Sequence, residues 1–208
     1  MSLFTATNHS FFVGDMARAK QTARWIVEEA RHLGVKAIVY PECGHATRTL
    51  LHYFENWFGE EIASIERVNI VPLVASYLQE GKIRVRPGTF DVPLTYHDPC
   101  NLGRNGGFFE EPRTLIRAVA TDFRELTPNR ALNWCCGGGG GLVADPEMYD
   151  LRMRVGRPKA EQIRQTNAQW VITACENCKT QLGDLNEHYE LGVEIKGVVD
   201  LIADALLL

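Results

Sequence analysis

Six cysteines stand in this chain of 208 residues, and five of them fall between residues 100 and 178. Cys135 and Cys136 are adjacent, Cys175 and Cys178 form a Cys-x-x-Cys pair, and Cys100 precedes them. Thiolate sulfur is the ligand type that zinc and iron–sulfur clusters prefer. Clustered cysteines in a protein without a disulfide-dense composition indicate metal binding or redox chemistry. The cysteine pattern therefore predicts a metal centre.

The number and adjacency of the cysteines favour an iron–sulfur cluster over a single ion. Adjacent cysteines point their sulfurs in diverging directions, and five ligands exceed the four of a tetrahedral zinc site. Zinc bound by four of the five stays open as the alternative. The glycines after Cys136 are expected to bring backbone close to the cluster and to offer N–H donors. Gly137, Gly138 and Gly139 are the predicted cofactor-binding glycines.

Three further side chains are catalytic candidates. Cys43 and His45 lie in "PECGHA" after a predicted strand, where both could face the substrate from the edge of its pocket. His97 precedes Cys100 and could donate a proton or a hydrogen bond to a nearby sulfur. The alternatives are a buried leftover of an internal repeat for Cys43 and an ordinary strand-end histidine for His97.

The composition limits the class of protein. A net charge of −4 gives no electrostatic footprint for nucleic acid, so no nucleic-acid partner is expected. No apolar run approaches the roughly 18 residues that a membrane-spanning helix needs, and the N-terminus lacks the pattern of a secretory signal. The chain is expected to be cytoplasmic, either free or peripheral on the cytoplasmic face of a membrane complex.

Strands and helices alternate along the chain. Strands are predicted at 35–41, 68–71, 92–100, 132–134, 168–175 and 193–195. Helices are predicted at 14–34, 46–57, 72–81, 110–120, 145–166 (with a break near Pro158), 176–189 and 197–207. This order predicts an α/β fold with largely parallel sheets. Ligand-binding residues of such sheets follow the carboxyl ends of strands, where all six cysteines are expected.

A weak internal repeat predicts two units. Aligning Cys43 with Cys175 places Ala46 opposite Cys178, so the first unit lacks a complete cysteine set. Residues 1–91 are interpreted as a degenerate or truncated first repeat, and residues 92–208 as the complete cysteine-rich repeat. One metal centre is expected, in the second repeat.

The motifs "YHDPCNLGRNGGFFEEPR" (96–113), "CCGGGGG" (135–141) and "CENC" (175–178) resemble the cysteine-rich CCG domain of heterodisulfide reductase catalytic subunits of the B and D types. Their form is most similar to the iron–sulfur subunit of the dissimilatory sulfite-reduction membrane complex. The resemblance implies a noncubane [4Fe-4S] cluster. The implied ligands are Cys100, Cys135, Cys136, Cys175 and Cys178.

The resemblance also implies an oxidoreductase acting on sulfur groups within a complex. The implied substrate is a disulfide or trisulfide, carried by a small molecule or by a small protein. Electron-donating iron–sulfur subunits or membrane quinol-oxidising subunits are the implied partners. Two alternatives remain: an electron-transfer-only subunit of a lactate- or glycolate-oxidase-type complex, and a zinc-binding structural module.

Overall fold

The computed structural model describes residues 10–11 and 13–207, in which helices and parallel strands alternate as predicted. The strands are β1 Ala37–Tyr40, β2 Glu66–Asn69, β3 Leu94–His97, β4 Phe123–Glu125, β5 Trp170–Thr173 and β6 Glu194–Gly197. The helices are α1 Met16–His32, α2 Gly44–Arg48, α3 Phe54–Phe58, α4 Ile70–Gln79, α5 Glu110–Val119, α6 Tyr149–Thr166, α7 Glu176–Tyr189 and α8 Val198–Ala205. None of these described helices combines the length and apolar character needed to cross a bilayer.

Two parallel sheets organise the described residues. The larger sheet has the strand order β4-β3-β5-β6, and the smaller pairs β1 with β2. Every pairing is parallel. The carboxyl ends of the larger sheet's strands therefore meet at one edge, which confirms the predicted α/β class and brings the segments that follow those strands together.

The two faces of the larger sheet carry different packing layers. Because successive strand residues point to opposite faces, Ile172 packs with α4, α5 and α8, while Val171 packs with α6 and α7. The second layer contains three of the cysteines, Cys136, Cys175 and Cys178. The cysteine-bearing edge is thus continuous with a hydrophobic core.

Two predicted strands require correction. The predicted strand at 132–134 is wrong, because Arg130–Leu132 forms a 3-10 turn. The strand that precedes this segment in the structure is β4, which was not predicted. The Asn133 side chain turns inward to hydrogen-bond the Asp98 carbonyl, while Leu132 is 76% exposed, so the segment lacks the buried face of a strand. The strand predicted at 68–71 ends earlier, at Asn69, which caps α4.

The predicted helix break at Pro158 is also wrong. Residues Tyr149–Thr166 form one α-helix that contains Pro158 at an exposed position. A proline removes one N–H donor, and on the solvent side water satisfies the carbonyl that is left.

Contacts between the two parts of the chain join β1 to the larger sheet. The Glu42 carbonyl accepts from the Glu176 N–H at 3.1 Å, and Glu42 Oε1 accepts from the Val199 N–H at 3.1 Å. The turn after β1 is therefore held against the first turns of α7 and α8. The division into repeats at 91/92 stays a prediction.

A buried ion pair connects the end of β3 to the rest of the cysteine-bearing edge. Arg113 is 0% exposed and binds both Asp98 oxygens, at 2.7 and 2.9 Å, as well as Glu125. Asp98 also accepts from the Arg130 N–H at 2.8 Å. One carboxylate thus ties together β3, α5 and the segment that leads to Cys135.

Two glycines test the packing of α6 against α7. A Cβ at Gly156 would lie 2.7 Å from Leu185 Cδ2 and 2.9 Å from the Cys136 carbonyl, whereas a Cβ at Gly183 would meet nothing within 4 Å. We expect Gly156→Ala to lower the free energy of unfolding by about 1–3 kcal/mol, because the helices must separate. Gly183→Ala, the matched control, should raise it by about 0.5–1 kcal/mol. Urea unfolding measures both, and equal stabilities would contradict the described packing.

Removing Arg113 tests the buried ion pair. We expect Arg113→Met to lower the free energy of unfolding by about 3–5 kcal/mol, since Asp98 would stay buried without its countercharge. The control is Arg117→Met on the same helix, because Arg117 is 53% exposed. Its effect should stay below about 0.5 kcal/mol. Urea unfolding of the metal-free chain separates the two variants, and similar losses would argue against the assigned role of Asp98.

Candidate metal centre

The five predicted ligand cysteines all lie at one edge of the larger sheet. Cys100 follows β3, and Cys175 follows β5 and caps α7 in an extended conformation. Cys178 lies in the first turn of α7, so Cys175 and Cys178 face the same side. Cys135 and Cys136 reach this edge on the loop after the 3-10 turn.

The five thiols form one continuous chain of sulfur contacts. Cys135 lies between Cys100 and Cys136 and contacts both thiols. Cys136 Sγ is 3.4 Å from Cys178 Sγ, and Cys178 in turn contacts Cys175. Cys178, Cys175 and Cys136 are buried, Cys100 is half-buried and Cys135 is exposed. The cluster of sulfurs is therefore reached from one side.

A cavity of about 200 Å³ lies on that accessible side. Its lining in the described residues consists of the five cysteines together with Gly44, His45, Arg48, Pro99, Asn101, Gly139, Gly140 and Asn177. Three of these residues, Gly44, His45 and Arg48, come from α2 in the first part of the chain. Part of the cavity wall is thus contributed by the segment that the cysteine pattern left without ligands.

The thiols strongly perturb one another's ionisation. The pKa of Cys136 is raised to about 12, first by its hydrogen bond to Cys135, and neighbouring thiols raise the pKa of Cys178 well above its usual range. The pKa of Cys175 is lowered to about 6, chiefly by its hydrogen bond from Cys178. Adjacent thiolates repel one another, so all five ionise together only when positive charge is supplied. Soft metal ions supply that charge.

Backbone N–H groups also point at the sulfurs. The Gly44 N–H donates to Cys175 Sγ and the Gly137 N–H to Cys135 Sγ, each at 3.4 Å. Hydrogen bonds of this kind to ligand sulfurs tune the potential of iron–sulfur centres. Gly44 was not among the predicted glycines, because its position next to Cys175 follows from tertiary structure.

The glycines of 137–141 have two structural roles: some line the cavity, and others allow close packing against a helix. Of the three predicted cofactor-binding glycines, Gly139 lines the cavity, joined there by Gly140. Gly138 instead packs against α7, where a Cβ would lie 2.7 Å from Gln181 Cβ. Gly137 has φ +94°, a left-handed conformation that other residues rarely adopt. The run therefore brings the loop close to a helix as well as to the sulfurs.

His97 is buried next to the sulfurs and is not among the residues that line the cavity. It is 1% exposed, and a ring nitrogen lies within 4.8 Å of both Cys136 Sγ and Cys178 Sγ. Neither ring nitrogen has a hydrogen-bond partner among the described residues. Burial, and then the charge of Lys159, holds the pKa of His97 well below its usual range. A neutral imidazole keeps one N–H that can be donated to a sulfur.

The other two catalytic candidates occupy different positions. His45 lines the cavity, and the Asn177 Nδ2 amide lies 3.1 Å from its Nδ1, placing the ring proton on Nε2. Burial and then Arg48 lower the pKa of His45. Cys43 is not among the cavity-lining residues: its Sγ accepts from the Ala46 N–H as a cap of α2, and burial raises its pKa. The structure thus brings His45, but not Cys43, to the cavity.

Sequence analysis missed two charged residues near the sulfurs. Arg113 stands in the quoted "EEPR" motif, yet its ion pair with Asp98 required knowledge of which strand end α5 would meet. Lys159 is 0% exposed, although the two residues before it, 157 and 158, are exposed. The residue after it, Ala160, is buried. A lysine on the apolar stripe of α6, three residues after the buried Gly156, was the available signal.

Comparison with known proteins agrees with this geometry. Residues 94–183 match the CCG family, described as a cysteine-rich domain. The chain is 28% identical, over 97% of its length, to the "Hdr-like menaquinol oxidoreductase iron-sulfur subunit 2" of Archaeoglobus fulgidus, covering 42% of that protein. It is 30% identical, over 93% of its length, to a subunit of the dihydromethanophenazine:CoB–CoM heterodisulfide reductase of Methanosarcina barkeri, covering 46% of it.

A third relative has a different name. The "Probable iron-sulfur-binding oxidoreductase FadF" of Bacillus subtilis is 31% identical over 65% of this chain, which covers 19% of that protein. The chain thus spans less than half the length of these curated relatives. The matched segment contains all five cysteines of the sulfur chain and the strands β3, β4 and β5. The chain therefore contains a CCG cysteine-rich domain, in residues 94–183.

Proposed function

We propose that the five cysteines hold a noncubane [4Fe-4S] cluster and that the chain is a redox subunit of a heterodisulfide reductase-like complex. The observation that carries this proposal is the unbroken chain of five sulfurs along one cavity wall. Five converging thiols exceed the requirement of one tetrahedral ion, and they need a centre that several thiolates can share. The fit lies in the number, adjacency and mutual pKa shifts of the donors.

The proposed reaction is reduction of a disulfide or trisulfide at the exposed side of the centre. When bound, the cluster would supply electrons for cleavage of the S–S bond. Cys135 is the exposed sulfur of the chain, so the substrate is expected to approach there. The cavity wall formed by α2 and Asn177 would orient the substrate and limit the entry of water.

Two histidines have separate proposed roles. His45 is the candidate hydrogen-bond donor to a departing thiolate in the cavity, since the Asn177 amide lies against Nδ1 and leaves the Nε2–H of the neutral ring to donate; the thiolate would take its proton from solvent. His97 is not among the residues lining that cavity and is proposed to donate a hydrogen bond to a ligand sulfur instead. Cys43 stays a prediction, as a thiol that caps α2 beside the centre.

The proposed partners follow from the relatives. Their names describe an iron–sulfur subunit of a menaquinol oxidoreductase and a subunit of a heterodisulfide reductase. We infer that quinol-oxidising or other iron–sulfur subunits deliver electrons to this chain on the cytoplasmic face of a membrane. A thiol or disulfide, small or protein-borne, would take up those electrons.

Two alternatives have specific support. An electron-transfer subunit without a disulfide substrate agrees with similarity to the FadF protein and to an "EtfAB:quinone oxidoreductase" of Syntrophomonas wolfei, 27% identical over 76% of this chain. A structural zinc site agrees with His97, Cys136 and Cys178, whose ligand atoms lie within 4.8 Å of one another. Histidine and cysteine are common zinc ligands.

Metal and sulfide analysis of the anaerobically purified chain tests the cluster. We expect about four irons and about four acid-labile sulfides per chain, with an EPR signal that responds to reduction. Cys135→Ser and Cys136→Ser should lose that signal, because each removes a sulfur from the middle of the contact chain. Cys43→Ser is the matched control and should keep the metal content, since Cys43 does not line the cavity.

About one zinc per chain, with no sulfide and no EPR signal, would contradict the cluster and support a zinc site. A cluster with four irons and four sulfides whose EPR spectrum does not change on addition of disulfides or thiols would favour an electron-transfer subunit without a disulfide substrate. Loss of the cluster in Cys43→Ser would contradict the assigned ligand set.

A further inference from the structure

Lys159 is a buried ammonium group next to the cysteine centre. The side chain is 0% exposed, and its Nζ donates to Asn133 Oδ1 at 2.7 Å and to Gln162 Oε1 at 2.5 Å. Both acceptors are neutral amides. An ammonium group removed from water is strongly disfavoured unless negative charge lies nearby. The position of Lys159 therefore requires a countercharge.

No carboxylate oxygen of the described residues lies within 4.0 Å of Lys159 Nζ. Asp98, the carboxylate whose charge acts on Lys159, is already bound by two N–H groups of Arg113 and by the Arg130 backbone. The negative charge of Asp98 is thus already paired with the guanidinium of Arg113. Asp98 therefore balances the buried ammonium group only in part.

Three thiols of the centre also act on Lys159 electrostatically. Burial lowers the pKa of Lys159 to about 8, and the groups that oppose this change are Cys136, Asp98, Cys135 and Cys178, in that order. Other basic groups near these thiols are His97, whose own pKa Lys159 depresses, Arg104, and Arg48 on the cavity side. Because His97 is neutral, Lys159 is the ammonium group buried beside these sulfurs.

The helix that carries Lys159 is also in contact with the cysteine loop. Gly156, one turn earlier on α6, approaches the Cys136 carbonyl so closely that a Cβ would lie 2.9 Å from it. Asn133, which accepts from Lys159, lies two residues before Cys135. The ammonium group is therefore held by the same two segments that present Cys135 and Cys136, on the side away from the cavity.

We propose that Lys159 is the fixed positive charge that balances the ligand thiolates of the centre and raises the reduction potential of the group they bind. Lys159 acts through Cys135, Cys136 and Cys178 and is a positioning residue without contact to substrate. Its effect on the potential rests on the proposed function, whereas its effect on metal affinity does not. A nearby positive charge stabilises the more negative, reduced state of a thiolate-bound centre.

Two pairs of variants separate the charge of Lys159 from its hydrogen bonds. Lys159→Gln removes the charge and keeps N–H donors, while Lys159→Met removes both. Gln162→Glu places a carboxylate against the intact ammonium group. Gln162→Leu removes the hydrogen bond from Lys159 and the one that Gln162 Nε2 donates to the Pro128 carbonyl, with the charge unchanged. Lys82→Met is the control for overall charge, since Lys82 is 59% exposed and pairs with Glu80.

The first measurement is the midpoint potential of the reconstituted full chain, followed by EPR during a redox titration. We expect a shift to more negative values in Lys159→Gln, Lys159→Met and Gln162→Glu, and none in Gln162→Leu or Lys82→Met. The second is Co²⁺ binding by the metal-free chain, followed by thiolate-to-cobalt absorption. The three charge variants should bind Co²⁺ about 10–100-fold more weakly than the parent chain.

Unchanged potential and Co²⁺ affinity in folded Lys159→Gln would overturn the proposal. So would equal shifts in Gln162→Leu and Gln162→Glu, because hydrogen bonding alone would then explain them. If neither Lys159 variant folds, the Gln162 pair decides, since it leaves the lysine in place. A parent chain that forms no iron–sulfur cluster defeats the proposed function, and Co²⁺ binding still decides the role of Lys159.

Discussion

The Asp98 carboxylate holds the cysteine-bearing edge together. It binds the guanidinium of Arg113 through both oxygens and accepts from the Arg130 backbone, while the Asp98 carbonyl accepts from Asn133. Asp98 lies two residues before Cys100, and Asn133 lies two residues before Cys135. Two ligand segments far apart in sequence are thereby fixed to each other by one buried, fully hydrogen-bonded group. Such pairs are costly to break, so they restrict the edge to one arrangement.

That arrangement concentrates negative charge, and the surrounding chain is built to accommodate it. Backbone N–H groups of Gly44 and Gly137 donate to sulfurs, and the Lys159 ammonium group lies behind them. The cavity side has a different composition, with small residues and the polar side chains of α2. Lys159 supplies positive charge from the interior, whereas the cavity side gives access and also carries the Arg48 side chain. Of these two cations, Arg48 is the one available to a substrate.

The sequence was sufficient to predict what depends on spacing and periodicity. Alternating apolar segments predicted the α/β class and the parallel sheet, and the cysteine intervals predicted one shared site. The error at 132–134 arose because Asn133 turns inward to a partner 35 residues away, which outweighs local strand preference. The roles of Gly44, Arg113 and Lys159 depend in the same way on contacts between distant segments. Periodicity contains no information about which strand end a buried cation will meet.

The order of the ligand segments along the chain has a consequence for biogenesis. The five sulfurs come from three segments spread between Cys100 and Cys178, and complete strands and helices separate them. No short stretch of nascent chain can therefore present the full ligand set during translation. The parallel pairing of β3 with β5 closes a long loop and is intrinsically slow to form. Metal delivery must accordingly follow synthesis of α7, and until then the unassembled thiols are exposed to oxidation.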